Sequence, residues 1–275
     1  FLSSANSINI GRLIPQIVYY FYSYMTLVNK NEIRLGESVH FTIPSGNFGN
    51  CLAGVLAKKM GLPIQKFIVA SNKNNILTDF FRTGKYDARR EFYKTNAPAM
   101  DILVSSNLER LVYMMAQDSQ KVKSYMDDLN QNGVYEISSD LLEKIQDVFK
   151  AGWLNEDEVL DTIKTCFEQT GYLLDTHTAI GYGVYKEYQK TSGDETKTII
   201  LATASPYKFA DSVYKALTDQ SLSEYQAIEA VYEKTGVDIP KPLVQLDQKE
   251  ILHQKVIDKD DIIHEISQKI KEMSL

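Results

Sequence analysis

The sequence predicts an α/β fold built around a mainly parallel sheet, and three stretches of the chain support that prediction. Residues 39–44, 66–71 and 198–204 are short apolar runs rich in β-branched residues, which is typical of strands buried in a parallel sheet. A helical pattern at 51–60 links the first run to the second. Because such a connection is a right-handed crossover, we expect these two runs to be parallel neighbours.

Composition limits the class of protein. The chain has 275 residues, enough for one large α/β domain or two modest ones. Its 36 acidic and 30 basic residues give a net charge of −6 with no basic stripe, which argues against nucleic acid and anionic membrane surfaces as partners. The two cysteines, Cys51 and Cys166, lack metal or redox spacing and are predicted to be reduced core thiols of a cytoplasmic protein.

The remaining elements follow from apolar spacing along the chain. The four histidines are too scattered to predict a metal site. Residues 83–99 are predicted to be an irregular connection, and the tail from residue 221 to be two or three amphipathic helices joined around Pro240 and Pro242. Helices are predicted at 11–30, 76–81, 107–116, 120–130, 139–150, 155–169 and 210–217, and another follows residue 179 and runs to about residue 188. A short strand is predicted at 134–137.

The strongest functional signal is the loop after the first strand, Gly46, Asn47, Phe48, Gly49 and Asn50. Gly46 and Gly49 are expected to permit positive φ and close approach to a ligand, so that the loop amides converge at a helix start. A helix N-terminus adds unpaired N–H groups and a partial positive charge, which suits a phosphate. The loop has no lysine and is not a nucleoside-triphosphate P-loop. The alternative is an ordinary tight turn between strand and helix.

A second anion-friendly helix start lies near the beginning of the chain. Asn6, Ser7 and Asn9 are good capping residues, and with Arg12 they would converge at the positive end of the predicted helix at 11–30. The alternative is plain capping beside a surface arginine.

Two further features fall at the predicted carboxyl edge of the sheet, where ligands bind in open α/β folds, and a histidine lies beside a helix start. Residues 72–75 form a polar loop after the second strand. Thr203 ends the last strand, with its hydroxyl expected to be free. His177 precedes a helix, where a capping or buried structural role is favoured over ligand binding.

Together these motifs resemble the long-chain class of threonine synthases. The motifs are Asn6-Ser7-Ile8-Asn9-x-x-Arg12, Pro44-Ser45-Gly46-Asn47-Phe48-Gly49-Asn50, Ala70-Ser71-Asn72-x-Asn74, Thr176-His177-Thr178-Ala179 and Ala202-Thr203-Ala204-Ser205-Pro206-Tyr207-Lys208-Phe209. They occur in the family's order from Ser4 to about Asp219. The resemblance implies a three-layer α/β/α fold of the tryptophan-synthase-β type (fold type II), incomplete in this chain. It also implies pyridoxal 5′-phosphate as cofactor and conversion of O-phosphohomoserine and water to threonine and phosphate.

The resemblance also implies roles for individual residues. The loop from Gly46 to Asn50 would hold the cofactor phosphate, and Thr203 would face the pyridine nitrogen. Asn6, Ser7, Asn9 and Arg12 would hold the substrate phosphate, for which an arginine fork is well matched. Ser205 stands where the family often has histidine, which leaves the role of that position open.

The family's Schiff-base lysine has no counterpart in this chain, since no lysine lies in a Ser/Thr-Phe-Lys-Asp context and Lys208 occupies a different, non-catalytic motif position. We therefore expect a C-terminal portion that lacks its N-terminal half and is inactive alone. Residues 1–219 would belong to the cofactor-binding large domain, and 220–275 would be a helical extension packed on it.

Two other classes remain open. One is a different fold-type II enzyme, such as a threonine-synthase-like phospholyase or a threonine dehydratase, although the Asn-Ser-x-Asn-x-x-Arg cluster argues against the dehydratase. The other is a non-catalytic phosphate-binding domain.

Overall fold

A computed structural model of the chain describes residues 6–252 and 254–273. The first five residues of the predicted N-terminal loop and His253 lie outside the described residues. The chain divides into two compact units, Phe1–Ile239 and Pro240–Leu275. The predicted domain boundary after residue 219 remains a prediction.

Strands and helices are interspersed along the first unit. The strands are β1 (Val39–Pro44), β2 (Ile64–Ser71), β3 (Lys85–Asp87), β4 (Val134–Glu136), β5 (Phe149–Trp153) and β6 (Thr198–Ile200). The helices are α1 (Ile10–Asn29), α2 (Gly49–Lys59), α3 (Ile76–Thr83), α4 (Leu108–Ala116), α5 (Ser119–Asn132), α6 (Ser139–Gln146), α7 (Glu156–Thr170), α8 (Thr176–Ser192), α9 (Ala210–Thr218) and α10 (Glu224–Thr235). The second unit contains 3₁₀ turns and α11 (Ile262–Met273).

The main sheet of the described chain has the order β5-β2-β1-β6, and each neighbouring pair is parallel. β1 lies inside the sheet and is buried along its whole length. Because the strands run in the same direction, the segments that follow β1, β2, β5 and β6 all leave from one edge. The predicted α/β class with a parallel sheet is thus confirmed.

Helices cover both faces of this sheet. On β1, the Phe41 ring contacts Tyr20 of α1 with centroids 4.8 Å apart, whereas His40 contacts Tyr188 of α8 at 5.9 Å. Successive strand residues point to opposite faces, so α1 and α8 lie on opposite sides. This arrangement gives the three layers that the resemblance implied.

The structure corrects three sequence-based boundaries. The predicted helix at 139–150 ends at Gln146, and Phe149–Trp153 pairs with β2 as an edge strand. β6 ends at Ile200 and is only half-buried, so residues 201–204 do not continue the predicted buried strand. The predicted irregular connection at 83–99 contains Lys85–Asp87, which pairs with β4 in a small antiparallel sheet. In each case pairing between distant segments decides the outcome, and local apolar spacing does not report it.

Two simpler expectations concern thiols and membranes. Cys51 and Cys166 are both free and buried, as predicted, and burial raises the pKa of the Cys51 thiol well above its usual value. Among the described residues, no helix has the length and apolar character needed to cross a membrane.

Candidate functional site

The loop between β1 and α2 makes a sharp turn at Phe48. This residue is the N-cap of α2 and has left-handed backbone angles, φ 62° and ψ 4°. Its side chain is buried and packs on Phe81 and Phe149, with ring centroids 5.8 and 6.1 Å away. The aromatic anchor fixes the loop to the core, so Phe48 offers its main chain to the site.

The loop glycines are required for close approach. The expectation of positive φ at Gly46 and Gly49 was wrong, because among the loop residues only Phe48 has it. A Cβ on Gly46 would lie 3.1 Å from Met100 Cα and 3.2 Å from the Ile102 side chain. No larger residue fits at position 46 without moving the chain beside it.

The main-chain N–H groups of the loop have no acceptor among residues 6–252 and 254–273. Within the described part of the chain, no hydrogen bond is made by the N–H of Gly46, Asn47, Phe48, Gly49 or Asn50. The carbonyls of two of these residues are bound elsewhere: Gly46 accepts from Ser105 Oγ at 2.8 Å, and Asn47 accepts from Asn107 Nδ2 at 3.0 Å. Consecutive unpaired donors at a helix N-terminus form a site for an anion, and phosphate suits it.

The Asn6–Arg12 motif forms the start of α1. Asn9 is the N-cap, and its Oδ1 accepts from Gly11 N at 2.8 Å. Asn6 Oδ1 accepts from Ile8 N at 3.2 Å, and Arg12 is exposed. The capping role predicted for Asn9 is confirmed, whereas Asn6 stabilises the turn before α1. The stretch presents a second helix N-terminus.

The structure brings this motif to the loop. A Cβ on Gly49 would lie 3.6 Å from the Ser7 carbonyl oxygen and 3.9 Å from Ser7 Cβ. Asn107 Nδ2 donates to that same Ser7 carbonyl at 3.1 Å. The starts of α1 and α2, which are distant in sequence, therefore meet at Gly49.

Thr203 follows β6 on the same edge and is exposed. Its main-chain N–H donates to Thr178 Oγ1 at 3.3 Å, and the Thr178 hydroxyl donates to Asp175 Oδ2. Asp175 is the buried N-cap of α8. The start of α8 thus holds the main chain of Thr203 and leaves its hydroxyl without a partner in the described chain.

His177, in the same turn, binds a different segment. Its Nε2 accepts from Ala99 N at 3.2 Å, which places the proton of the neutral ring on Nδ1, facing Asp175 Oδ1 at 3.3 Å. The ring also packs on Phe209 at 4.7 Å. The structural role favoured from sequence is confirmed. Ala99 adjoins Met100, so this bond supports the wall against which Gly46 packs.

The polar loop after β2 is used internally. Asn72 and Asn74 donate through Nδ2 to Asp101 Oδ1 at 2.7 and 3.0 Å, and Thr95 donates to both carboxylate oxygens of Asp101. These bonds fix residues 93–101 over the strand ends. The loop at 72–75, expected at the ligand-binding edge, instead supports the segment beside Gly46.

Several supporting residues were missed from the sequence. Asn107 was predicted only as the first residue of the helix at 107–116, and Asp101 and Ser105 lie between the predicted connection at 83–99 and that helix, in a stretch for which nothing was predicted. A run of three small polar residues, Ser105-Ser106-Asn107, is the signal that could have identified them.

Ser205 and Lys208 have local roles. Ser205 Oγ accepts from Tyr207 N at 3.3 Å and caps a 3₁₀ turn, Pro206–Phe209. Lys208 is exposed, with Nζ 5.4 Å from the Phe209 ring centroid.

Comparison with known proteins gives one consistent result. Residues 178–264 match the family model described as threonine synthase, C-terminal. Human threonine synthase-like 1 is 45% identical over 226 residues, covering 81% of this chain and 30% of that protein. These findings agree with the family that the motifs indicated.

Solved structures share the fold. Threonine synthase from yeast superposes with a TM-score of 0.83 at 33% identity, covering 97% of this chain and 53% of that one. The pyridoxal-phosphate-bound threonine synthase from Brucella melitensis superposes with a TM-score of 0.73 at 39% identity, covering 82% of this chain and 47% of that one. The fold is therefore that of the fold-type II threonine synthases. The chain spans about half the length of these two proteins and less of the human relative.

Proposed function

We propose that this chain, which matches the C-terminal part of the threonine synthases, forms the phosphate-binding side of a pyridoxal-phosphate active site that converts O-phosphohomoserine and water to threonine and phosphate. The observation that carries the proposal is the set of N–H groups from Gly46 to Asn50, at the start of α2, that find no acceptor in the described part of the chain. The proximity of Ser7 to Gly49 supports a second phosphate beside the first.

The residues present fit the cofactor. Gly46 to Asn50 would bind its phosphate through the main chain, and the Thr203 hydroxyl would face the pyridine nitrogen as a neutral partner. When bound, pyridoxal 5′-phosphate supplies the electron sink for carbanion chemistry. The chain's own part is to orient the ring between these two contacts. The lysine that would hold the cofactor covalently is proposed to come from outside the 275 residues, from a segment equivalent to the N-terminal half of the relatives.

The substrate phosphate would bind at the start of α1. Asn9 and Asn6 shape the turn, Ser7 contributes its hydroxyl and Arg12 its guanidinium. A helix N-terminus together with an arginine stabilises a phosphate both before and after it leaves the substrate. A site for a phosphorylated amino acid is what separates this proposal from a dehydratase.

The test is a calorimetric titration with pyridoxine 5′-phosphate, which keeps the ring and the phosphate but has no aldehyde for surface lysines to trap. Pyridoxine, which lacks the phosphate, is the matched control ligand. Saturable binding of the phosphate ester, with at least tenfold weaker binding of pyridoxine, supports the proposal. Equal affinities would overturn it, because the loop would then contribute nothing to recognition.

A second candidate is a threonine-synthase-like phospholyase acting on another phosphorylated amino acid. The 45% identity to human threonine synthase-like 1 is the observation that supports this second candidate. Product analysis with O-phosphohomoserine, in the presence of the proposed lysine-bearing segment, distinguishes the two. Threonine and phosphate in equal amounts support the synthase, and phosphate with a keto acid supports the phospholyase.

A further inference from the structure

Asn107 lies at the junction of the two proposed phosphate sites and contacts no predicted ligand. The residue is fully buried, directly before α4. Its Nδ2 donates to the Asn47 carbonyl at 3.0 Å and to the Ser7 carbonyl at 3.1 Å. One side-chain amide therefore holds the loop at α2 and the motif at α1 together.

The hydrogen-bonding capacity of the Asn107 amide is used on both sides. Its two N–H donors serve the two carbonyls, and its Oδ1 accepts from Arg110 at 3.1 Å. The main-chain N–H of Asn107 also donates to the Asn47 carbonyl, at 3.2 Å. This pattern fixes which end of the amide faces the two segments, since only N–H groups can bind two carbonyls.

Arg110 extends the same connection. Its second guanidinium nitrogen donates to the Ile8 carbonyl at 2.8 Å, one residue after Ser7. The planar guanidinium thus reaches Asn107 and the α1 motif through two separate nitrogens, whereas a lysine has a single ammonium nitrogen. On the opposite side, the Ser105 hydroxyl donates to the Gly46 carbonyl of the loop at 2.8 Å, and the Ser105 main-chain N–H donates to the Tyr86 hydroxyl at 2.7 Å.

We propose that Asn107 is a positioning residue that sets the spacing between the cofactor-phosphate loop and the substrate-phosphate motif. This inference rests on the proposed function. By fixing the Asn47 carbonyl, Asn107 orients the Asn47–Phe48 peptide, whose N–H would face the cofactor phosphate. By fixing the Ser7 carbonyl, it holds the Ser7 side chain beside Gly49, where its hydroxyl would face the substrate phosphate. The Asn107 amide bonds both segments directly, whereas the Ser105 side chain bonds only the loop and Arg110 bonds the α1 motif directly and the loop only through Asn107.

The test uses two ligands and three variants. Pyridoxine 5′-phosphate reports on the loop, and inorganic phosphate, titrated with that ligand saturating, reports on the α1 motif. We expect Asn107→Ala to weaken both about three- to tenfold, the effect of losing one buried hydrogen bond at each segment. Ser105→Ala should weaken only the binding of pyridoxine 5′-phosphate. Arg110→Lys, which keeps the charge and leaves the two Asn107 donors in place, should weaken the binding of inorganic phosphate more than that of pyridoxine 5′-phosphate.

The controls separate positioning from general destabilisation. Thr78→Val removes an equally buried bond, from Oγ1 to the Gly152 carbonyl at 2.8 Å, between α3 and β5. It should lower the unfolding temperature and leave both affinities within twofold. If Asn107→Ala does not fold, Asn107→Ser, with a shorter donor, takes its place.

The outcomes are distinct. If the unsubstituted chain binds both ligands and the Asn107 variant loses affinity for one or neither, the positioning role is wrong and the proposed function stands. A loss of both affinities in Thr78→Val as well would also overturn the positioning role. If the unsubstituted chain does not bind pyridoxine 5′-phosphate, the proposed function is wrong. If it binds pyridoxine 5′-phosphate but not inorganic phosphate, the proposed substrate site is wrong. The positioning role of Asn107 is overturned in either case.

Discussion

Replacing Gly46 by alanine tests the phosphate loop with a single methyl group. The new Cβ would lie 3.1 Å from Met100 Cα, a main-chain atom, and 3.2 Å from the Ile102 side chain. The loop has little room to retreat, because the Gly46 carbonyl is bound by Ser105 at 2.8 Å. Overpacking of this kind costs about 1–3 kcal/mol, against a gain of roughly 0.4–1 kcal/mol from the stiffer unfolded chain. We expect a net loss of stability.

The effect on ligand binding should be larger than the effect on folding suggests. A shift of a few tenths of an ångström misaligns several N–H groups that point at one anion, and a hydrogen bond to a charged group contributes about 1.5–3 kcal/mol. Losing one such bond corresponds to about tenfold or more in affinity for pyridoxine 5′-phosphate. The measurement is calorimetric titration, with urea unfolding of the same variant.

The matched control for Gly46→Ala is Gly183→Ala in α8, where a Cβ would lie 2.5 Å from a Leu154 methyl carbon and 3.1 Å from Thr162 Oγ1. This variant should lose stability and keep its affinity. Unchanged affinity in Gly46→Ala, or an equal loss in both variants, would refute the reasoning that the loop binds the ligand through closely packed main chain.

Two further predictions concern the elements around the site. Thr178→Val should lower the free energy of unfolding by about 1–3 kcal/mol, because the buried Asp175 carboxylate loses a donor. It should also weaken the binding of pyridoxine 5′-phosphate, because Thr203 loses the acceptor of its main-chain N–H, whereas Thr178→Ser should keep the stability and the affinity. Retained affinity in the valine variant would contradict a role of Thr178 in positioning Thr203. Asp194 accepts from Thr196 and from buried His40, at 2.9 Å from the latter, and these bonds hold its pKa well below the usual range. Asp194→Ala should cost about 1–3 kcal/mol at pH 7, and the difference from the unsubstituted chain should shrink as pH falls below about 4, toward the lowered folded-state pKa. Urea unfolding at several pH values measures this difference in the free energy of unfolding. A difference that does not change with pH would contradict a stabilising role of the ionised Asp194 carboxylate.

The sequence predicted the parts of the fold in which local pattern and tertiary contact agree. β1, the loop and α2 follow from an apolar run, two glycines and helical spacing, and all three form as expected. β5 did not, because Phe149 continues the apolar spacing of α6 and only its pairing with β2 makes it a strand. Local periodicity carries no information on such pairing.

The candidate site shows the same limit. Gly46, Gly49 and the capping asparagines were identified because their chemistry is local. Asn107 and Asp101 were missed because each acts on segments distant in sequence, Ser7 in one case and Asn72 in the other. The reason for Gly46 was also wrong, since a packing contact with Met100 requires it and its φ does not.

The most direct test of the central claim is to follow the main-chain amide resonances of the chain during titration with pyridoxine 5′-phosphate. If the loop binds the phosphate, the amides of Gly46 to Asn50 should show the largest shifts, with Thr203 next. Shifts that leave these amides unchanged and fall instead on the cavity lined by Phe149, Lys150 and Tyr182 would contradict the account.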